Sequence, residues 1–320
     1  MSADDLGRYG LMAADLSDPY ALLPLARYVA TFEDLARHLN LPDLGLRVGT
    51  NIRAADLGPM GVLFSLSPTL RKGFTRLSAH VRALQGGTQS SVFEVGSDLV
   101  WTYRIADLSI WPRRQDAEYT LAAVCQLVRS GFSPGWTPQE IHLEHAEAGH
   151  RPLLSRVFRA PVLFGQSANR IVLDAASADR IHRSEDTGLT RILERHIADL
   201  TRNAPRPEGV VGQVRQLIGP MLGQRPVTLT ALAQELRMSP RSLQRHLAGQ
   251  GTSLRALLRA HREELAGIQM REGGQRVADI ASALGYADGT VLRRAMRSWT
   301  AEDGTVPPHT LRRGAPITDE

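Results

Sequence analysis

The final third of the chain carries one amphipathic pattern twice. Leu229, Leu232, Ala233 and Leu236 fall at i, i+3, i+4 and i+7, and Val277, Ile280, Ala281 and Leu284 repeat that spacing 48 residues later. At 3.6 residues per turn each set forms a single apolar stripe along a short helix. A turn of three or four residues and a second segment of helical pattern, rich in arginine, follow each stripe. Two helix-turn-helix units are predicted, an arrangement suited to laying a helix in the major groove of DNA.

In the first unit Thr228 is placed to cap the first helix and Ser239 the second, with Pro240 at a position that needs no N–H donor. Leu243 and Leu247, one turn apart, are expected to face the core, leaving Arg241, Ser242, Gln244 and Arg245 outward. Arginine clamps guanine O6 and N7, and glutamine pairs with adenine N6 and N7. Ser242, or Arg255 beyond the helix, suits phosphate contact better. The second unit has Asp288 as its cap, Leu292 and Met296 inward, and Thr290, Arg293 and Arg294 outward. Gly289 brings no side chain and Val291 only methyl groups, so weaker base readout is expected here. Trp299 is expected to anchor this helix in the core.

Leu254, Leu257, Leu258, Leu265 and Ile268 mark a connecting helix, capped by Thr252 or Ser253 and ended at Gly273-Gly274. A helix of that length spans roughly 25 Å and, with its flanking elements, would set the two reading helices roughly 34 Å apart, one DNA turn. The alternative is that these are ordinary amphipathic helices of an all-α domain. Duplication, together with caps and outward arginines in both copies, weighs against it.

Charge agrees with this division. The net charge is +5, and residues 208–320 hold 15 Arg against 11 Asp and Glu, so most of the excess lies with the paired units. A balance this mild supports nucleic-acid binding only weakly. No run of about 18 apolar residues occurs, so no membrane span is expected. The acidic start MSADDLGRYG does not resemble a secretory signal, and the single cysteine, Cys125, fits a reducing cytoplasm.

Polar residues with two prolines and a glycine, Arg202 to Gly209, divide the chain. The expected division is residues 1–203 as a sensing and dimerisation domain, 204–209 as linker, and 210–320 as the DNA-binding domain. The fold class expected is an α+β sensor followed by an all-α domain with two helix-turn-helix units. In the first half, Ser91–Val95 and Leu99–Ile105 flank Gly96-Ser97-Asp98 as a hairpin whose second arm alternates Leu99, Trp101, Tyr103 and Ile105 with Val100, Thr102 and Arg104. Helices are predicted near 20–39, 69–85 and 115–131, and strands near 139–144 and 170–174. Leu189, Ile192, Leu193, Ile197 and Leu200 stripe a further helix that either docks on its own domain or pairs with a second subunit.

The remaining chemistry is sparse. His142, Glu144, His145 and His150 have a metal flavour, but on a strand 142 and 145 point to opposite faces, and a solvated strand end is the favoured reading. Cys125 lies within the apolar pattern Leu121, Val124, Val128 and reads as a small buried hydrophobe. No phosphate loop, nucleophile elbow or carboxylate pair is evident, and no metal or cofactor is expected. Phe64, Trp101, Tyr103 and Trp111 are candidates to line an effector pocket, each competing with a plain core role. An acidic effector would call for Arg104, Arg113 or Arg114, and an amine for Glu94, Asp116 or Glu118; the sequence leaves both open.

The stretch VTLTALAQELRMSPRSLQRHLAGQGTSLRALLRAHREELA, with VADIASALGYADGTVLRRAMRSWT after it, closely resembles the AraC/XylS-type DNA-binding domain. That resemblance covers about 210–313. It implies base contacts from Arg241, Gln244 and Arg245 in one groove and from Thr290, Arg293 and Arg294 in the next. Leu292 and Met296 stand where the family usually has Phe, and the usual Gly-x-Ser-Pro after Trp299 is replaced by Ala301 to Pro307. LGPMGVLFSLSPTLRKGF, RRQDAEYTLAAVCQLVRSGF and APVLFGQSANRIVLD are similar to the arabinose-binding-type sensor domain of one branch of these regulators. The resemblance implies a non-enzymatic, effector-responsive regulator, an activator of a nearby operon with double-stranded DNA, RNA polymerase, a small-molecule effector and a second copy of itself as partners. A ligand-independent repressor or architectural protein, whose first half only dimerises, is the competing expectation. A DNA-repair methyltransferase is a third, disfavoured because it would need several cysteines.

Overall fold

A computed structural model describes residues 23–81, 85–202 and 209–303. Its first part is a five-stranded sheet with helices on one face. In chain order come α1 (Leu25–His38), α2 (Leu44–Thr50), α3 (Gly58–Ser65), α4 (Leu70–His80), β1 (Thr88–Val95), β2 (Asp98–Ile105), α5 (Arg114–Gly131), β3 (Glu140–His142), α6 (Arg151–Phe158), β4 (Val162–Leu163), β5 (Asn169–Asp174), α7 (Ala175–Ala178) and α8 (Thr187–Leu200). The sheet order is β1-β2-β5-β3-β4, antiparallel except for β3 and β4, which α6 joins as a parallel pair. The predicted hairpin is present, longer than expected at its first arm, and the strands predicted near 139–144 and 170–174 are β3 and β5.

Alternation along β2 separates the two faces of the sheet. Leu99, Trp101, Tyr103 and Ile105, joined by Ile141, Ile171 and Leu173, turn toward the helices and are buried. There they meet Leu121, Val124, Cys125 and Val128 of α5. Burial pushes the Cys125 thiol up to about 12, so it behaves as a packed apolar group rather than a thiolate.

The opposite face carries Gln89, Thr102, Arg104, Arg170 and His142, a set that reads as solvent-facing but is buried. The cover is the second part of the chain. It comprises α9 (Gly209–Met221), α10 (Leu229–Glu235), α11 (Pro240–Gly249), α12 (Leu254–Glu272), α13 (Val277–Ala283) and α14 (Gly289–Asp303). Helix α9 lies against β1 and β2. Arg170 Nη2 donates to Ser167 Oγ at 2.7 Å and to the Leu222 carbonyl at 2.9 Å, just past the end of α9. A cation there meets the partial negative charge of the helix C-terminus. Gly219 lets the helix approach closely at this seam: a Cβ built on it would lie 1.5 Å from Arg104 Nη1, so the guanidinium would have to move. From α12, Gln269 donates to the Gly165 carbonyl at 2.9 Å, and Glu272 accepts from Trp111 Nε1 at 2.9 Å and from the Ala146 backbone at 3.1 Å.

The stripe on α8 divides. Ile197 is buried and Leu193 packs on the sheet domain's core, whereas Leu189, Ile192 and Leu200 are exposed, Ile192 at 67%. Residues 204–208 of the expected 204–209 linker lie outside the described residues, as do residues 1–22, 82–84, 203 and 304–320.

Candidate nucleic-acid interface

The paired units are built from local signals. Thr228 Oγ1 accepts from Ala231 N at 3.1 Å to open α10, and Ser239 Oγ accepts from Ser242 N at 3.1 Å to open α11. Ser253, rather than Thr252, caps α12, accepting from Ala256 N at 3.2 Å. Asp288 Oδ1 takes the Thr290 and Val291 N–H groups at 2.7 and 2.9 Å to open α14. These bonds hold the Asp288 carboxyl below its usual range. Such caps satisfy donors that a helix start leaves without intrahelical partners.

Both turns use the same closure. After α10, Met238 N reaches the Ala233 carbonyl at 2.9 Å and Arg237 N the Gln234 carbonyl at 3.1 Å. After α13, Tyr286 N reaches Ala281 at 2.8 Å and Gly285 N reaches Ser282 at 2.9 Å. The residue between is left-handed in each case, Arg237 at φ 53° and Gly285 at φ 71°. This paired closure is the Schellman ending, for which glycine is the unstrained choice.

Tertiary packing then fixes which side of each reading helix is free. Leu243 and Leu247 of α11 are buried with Leu232, Ala233, Val214 and Ile218. Leu292 and Trp299 of α14 are buried with Ile280, Ala281, Leu265 and Leu284, and Met296 packs against that cluster half-buried. Arg241, Gln244 and Arg245 are exposed on α11, and Thr290, Arg293 and Arg294 on α14. Ser242 is half-buried, its hydroxyl 2.9 Å from that of the cap Ser239. Val291, expected to add only methyl contact, is 43% exposed. Helix α12 joins the units over 19 residues, roughly 28 Å at 1.5 Å per residue. Its contacts with the sheet domain lie on the faces bearing His261, Gln269 and Glu272, apart from the exposed residues of α11 and α14.

The sensor-half candidates are distributed differently. Phe64, Trp101 and Tyr103 are at most 1% exposed. Phe64 packs edge-on against Phe74 and Phe132, Trp101 stacks on Tyr103, and the Tyr103 hydroxyl donates to Asp116 at 2.7 Å. These three rings are therefore core, and Trp111 is a seam residue through Glu272. Arg113 is committed to Glu144 at 2.9 Å and to the Ile105 carbonyl, and Arg114 to the Pro42 carbonyl. Glu94 pairs with Arg71 at the surface. Asp116, pushed up to about 6 by burial, holds Tyr103 and Gln85.

Nor do the histidines converge as metal ligands. His142 meets Glu140 at 2.9 Å, while His150 and His145 approach Glu118 at 2.8 and 3.5 Å. They are buried or half-buried rather than a solvated strand end, and no metal-holding group occurs among the described residues. The seam itself escaped the sequence reading. Its only trace was polar residues alternating with apolar ones on β2, a pattern that also describes a wet face.

Comparison with known proteins agrees with this architecture. Residues 3–181 match the arabinose-binding domain of AraC transcription regulators, and residues 232–313 match a helix-turn-helix domain. The HTH-type transcriptional regulator VirS of Mycobacterium tuberculosis is 27% identical over 285 residues, covering 87% of this chain and 82% of that one. An uncharacterized HTH-type regulator of the same organism is 28% identical over 321 residues, 98% of this chain and 91% of its own. The ornithine utilization regulator of Pseudomonas aeruginosa is 25% identical over 279 residues, 84% of this chain and 75% of the relative. These relatives are regulators and not enzymes. This chain belongs to the AraC type of transcription regulators, DNA-binding proteins that join an arabinose-binding-type N-terminal domain to a helix-turn-helix domain.

Proposed function

We propose that each chain reads two successive major-groove segments, with Arg241, Gln244 and Arg245 contacting bases in the first and Thr290, Arg293 and Arg294 working in the second. The observation that carries this reading is the exposure of all six on two capped helices whose opposite sides are buried. Ser242, tied into its cap, serves a phosphate rather than a base. In this reading residues 1–203 sense a small-molecule effector in the cytoplasm, 204–209 link, and 210–320 bind DNA. Effector binding shifts the docking of one part on the other, and the bound pair presents a surface to RNA polymerase that activates a nearby operon. Only a ligand with different affinity for the two arrangements drives such a shift. One relative is named for ornithine utilization, which supports a small-molecule signal. The exposed Leu189, Ile192 and Leu200 supply a face for a second copy.

Binding-site selection followed by footprinting tests the reading. Protection over two consecutive helical turns is expected, with altered base preference at one position in Arg245→Ala. Protection confined to one turn, or an unchanged preference, refutes it. Thermal melting across a broad metabolite screen addresses the effector, since a ligand of the folded state raises the midpoint progressively with concentration.

A further inference from the structure

Between the polar face of the sheet and helices α9 and α12 lies a crevice of about 400 Å³. Arg104 and Gln89 sit opposite each other in the β1–β2 register, and both line it. Its walls include Ile218 and Leu257, both buried, and its mouth carries the exposed Asp107, Arg215 and Glu264.

The arginine at its floor is incompletely satisfied. Arg104 is 1% exposed, and its Nη1 lies 3.0 Å from His261 Nε2. Its Nε and Nη2 are buried without a partner, as is Gln89 Oε1 beside it. His261 brings no negative charge; burial, then Arg104, holds its pKa well below the usual range, so it accepts as a neutral ring. Glu144 and Glu264 act on Arg104 only at a distance, without an ion pair, and Glu144 is held by Arg113. Burial lowers Arg104 to about 10, which still leaves it cationic at neutral pH. A buried cation with no carboxylate in contact is costly, and proteins retain one where something else completes it.

The identity of the unpartnered atoms selects the chemistry. Nε and Nη2 share one edge of the guanidinium, the side-on fork that donates to both oxygens of a carboxylate in parallel. Apolar walls favour an organic body over a bare inorganic ion.

We propose that this crevice binds a small organic carboxylate, with Arg104 gripping the carboxylate side-on and Arg215 adding charge at the mouth. The proposal rests on the effector-responsive reading and gives its signal a class and a place. A ligand there touches the sheet on one side and the DNA-binding helices on the other. It therefore bears directly on how the two parts dock, where the Gly219 backbone lies against Arg104.

The test uses the full chain and 4-fluorobenzoate, followed by fluorine NMR. Line broadening is expected with the wild type, reversed by benzoate and not by sodium chloride of equal ionic strength. Arg104→Met is expected to weaken binding at least tenfold, and Arg215→Ala several-fold. Absence of broadening, broadening unchanged in both variants, or displacement by chloride or inorganic phosphate as effective as by benzoate overturns the proposal. Arg104→Met removes a buried charge that has no carboxylate in contact, so its melting temperature is expected at or above that of the wild type. Should it fail to fold, the exposed Arg215 variant decides the matter. An effector from the metabolite screen that stabilises the wild type and Arg104→Met equally sinks this site and leaves effector response standing.

Discussion

The two reading units share a plan and differ in how each local problem is solved. Both scaffold helices close with the same pair of backbone bonds, yet the left-handed residue is Arg237 in the first and Gly285 in the second. The first reading helix opens on a neutral hydroxyl and a proline, the second on a carboxylate. One extra turn residue in the second unit brings Leu292, rather than Val291, into the place that Leu243 holds in the first. The lesson is that the fold fixes burial and closure, while cap chemistry and outward side chains are free to diverge.

The largest expected effect is on packing. Leu243→Ala and Leu292→Ala each remove a fully buried side chain and are expected to cost roughly 2–5 kcal/mol, measured by denaturant unfolding. If the units are equivalent in architecture the two losses agree within that range; a loss below 1 kcal/mol for either would show that its unit is packed differently. Next is DNA readout. Arg245→Ala is expected to cost about 1–3 kcal/mol and relax one base position, whereas Arg294→Ala weakens binding across sequences and lowers the salt slope by about one. Selection experiments at two salt concentrations separate these outcomes, and a sequence-specific loss from Arg294→Ala would erase the distinction between the units.

Smaller effects probe the turns. Gly285→Ala is expected to destabilise by about 1 kcal/mol, because alanine resists the left-handed conformation. Arg237→Gly should change stability less, since relief of that strain is offset by added freedom in the unfolded chain. Thermal unfolding of both variants checks the asymmetry. The smallest effect is a pH dependence confined to the second cap. With its folded pKa depressed, Asp288 contributes fully above the unfolded carboxylate value and loses that contribution as pH falls through the folded value. Amide-exchange protection at Thr290 and Val291, taken relative to the intrinsic rate at each pH, is therefore expected to fall in acid, while that of Ser242, capped by a hydroxyl, is unaffected.

Much of the DNA-binding region was legible beforehand because its signals are short-range. The stripes of α10 and α13, the caps Thr228, Ser239 and Asp288, and the outward Arg245 and Arg293 all follow from spacing within a few turns. Helices α4 and α5 and the β1–β2 hairpin were legible for the same reason. The aromatic candidates illustrate the limit: Trp101 and Tyr103 alternate correctly on β2, but alternation does not distinguish a ring in a core from one at a cavity. His145 and His150 likewise meet over Glu118, 27 and 32 residues distant in the chain, which strand geometry alone did not foresee.

The sequence by itself determined the paired helix-turn-helix units, their caps, and the side of each reading helix left open, because periodicity and capping are interactions between near neighbours. Tertiary structure alone decided what covers the polar face of the sheet. Period-two alternation assigns Gln89, Arg104 and Arg170 to a common face without saying whether water or protein lies over it. Only the docking of α9 and α12 there buries those side chains, gives Arg170 the Leu222 carbonyl as a partner, and leaves one edge of Arg104 unpaired.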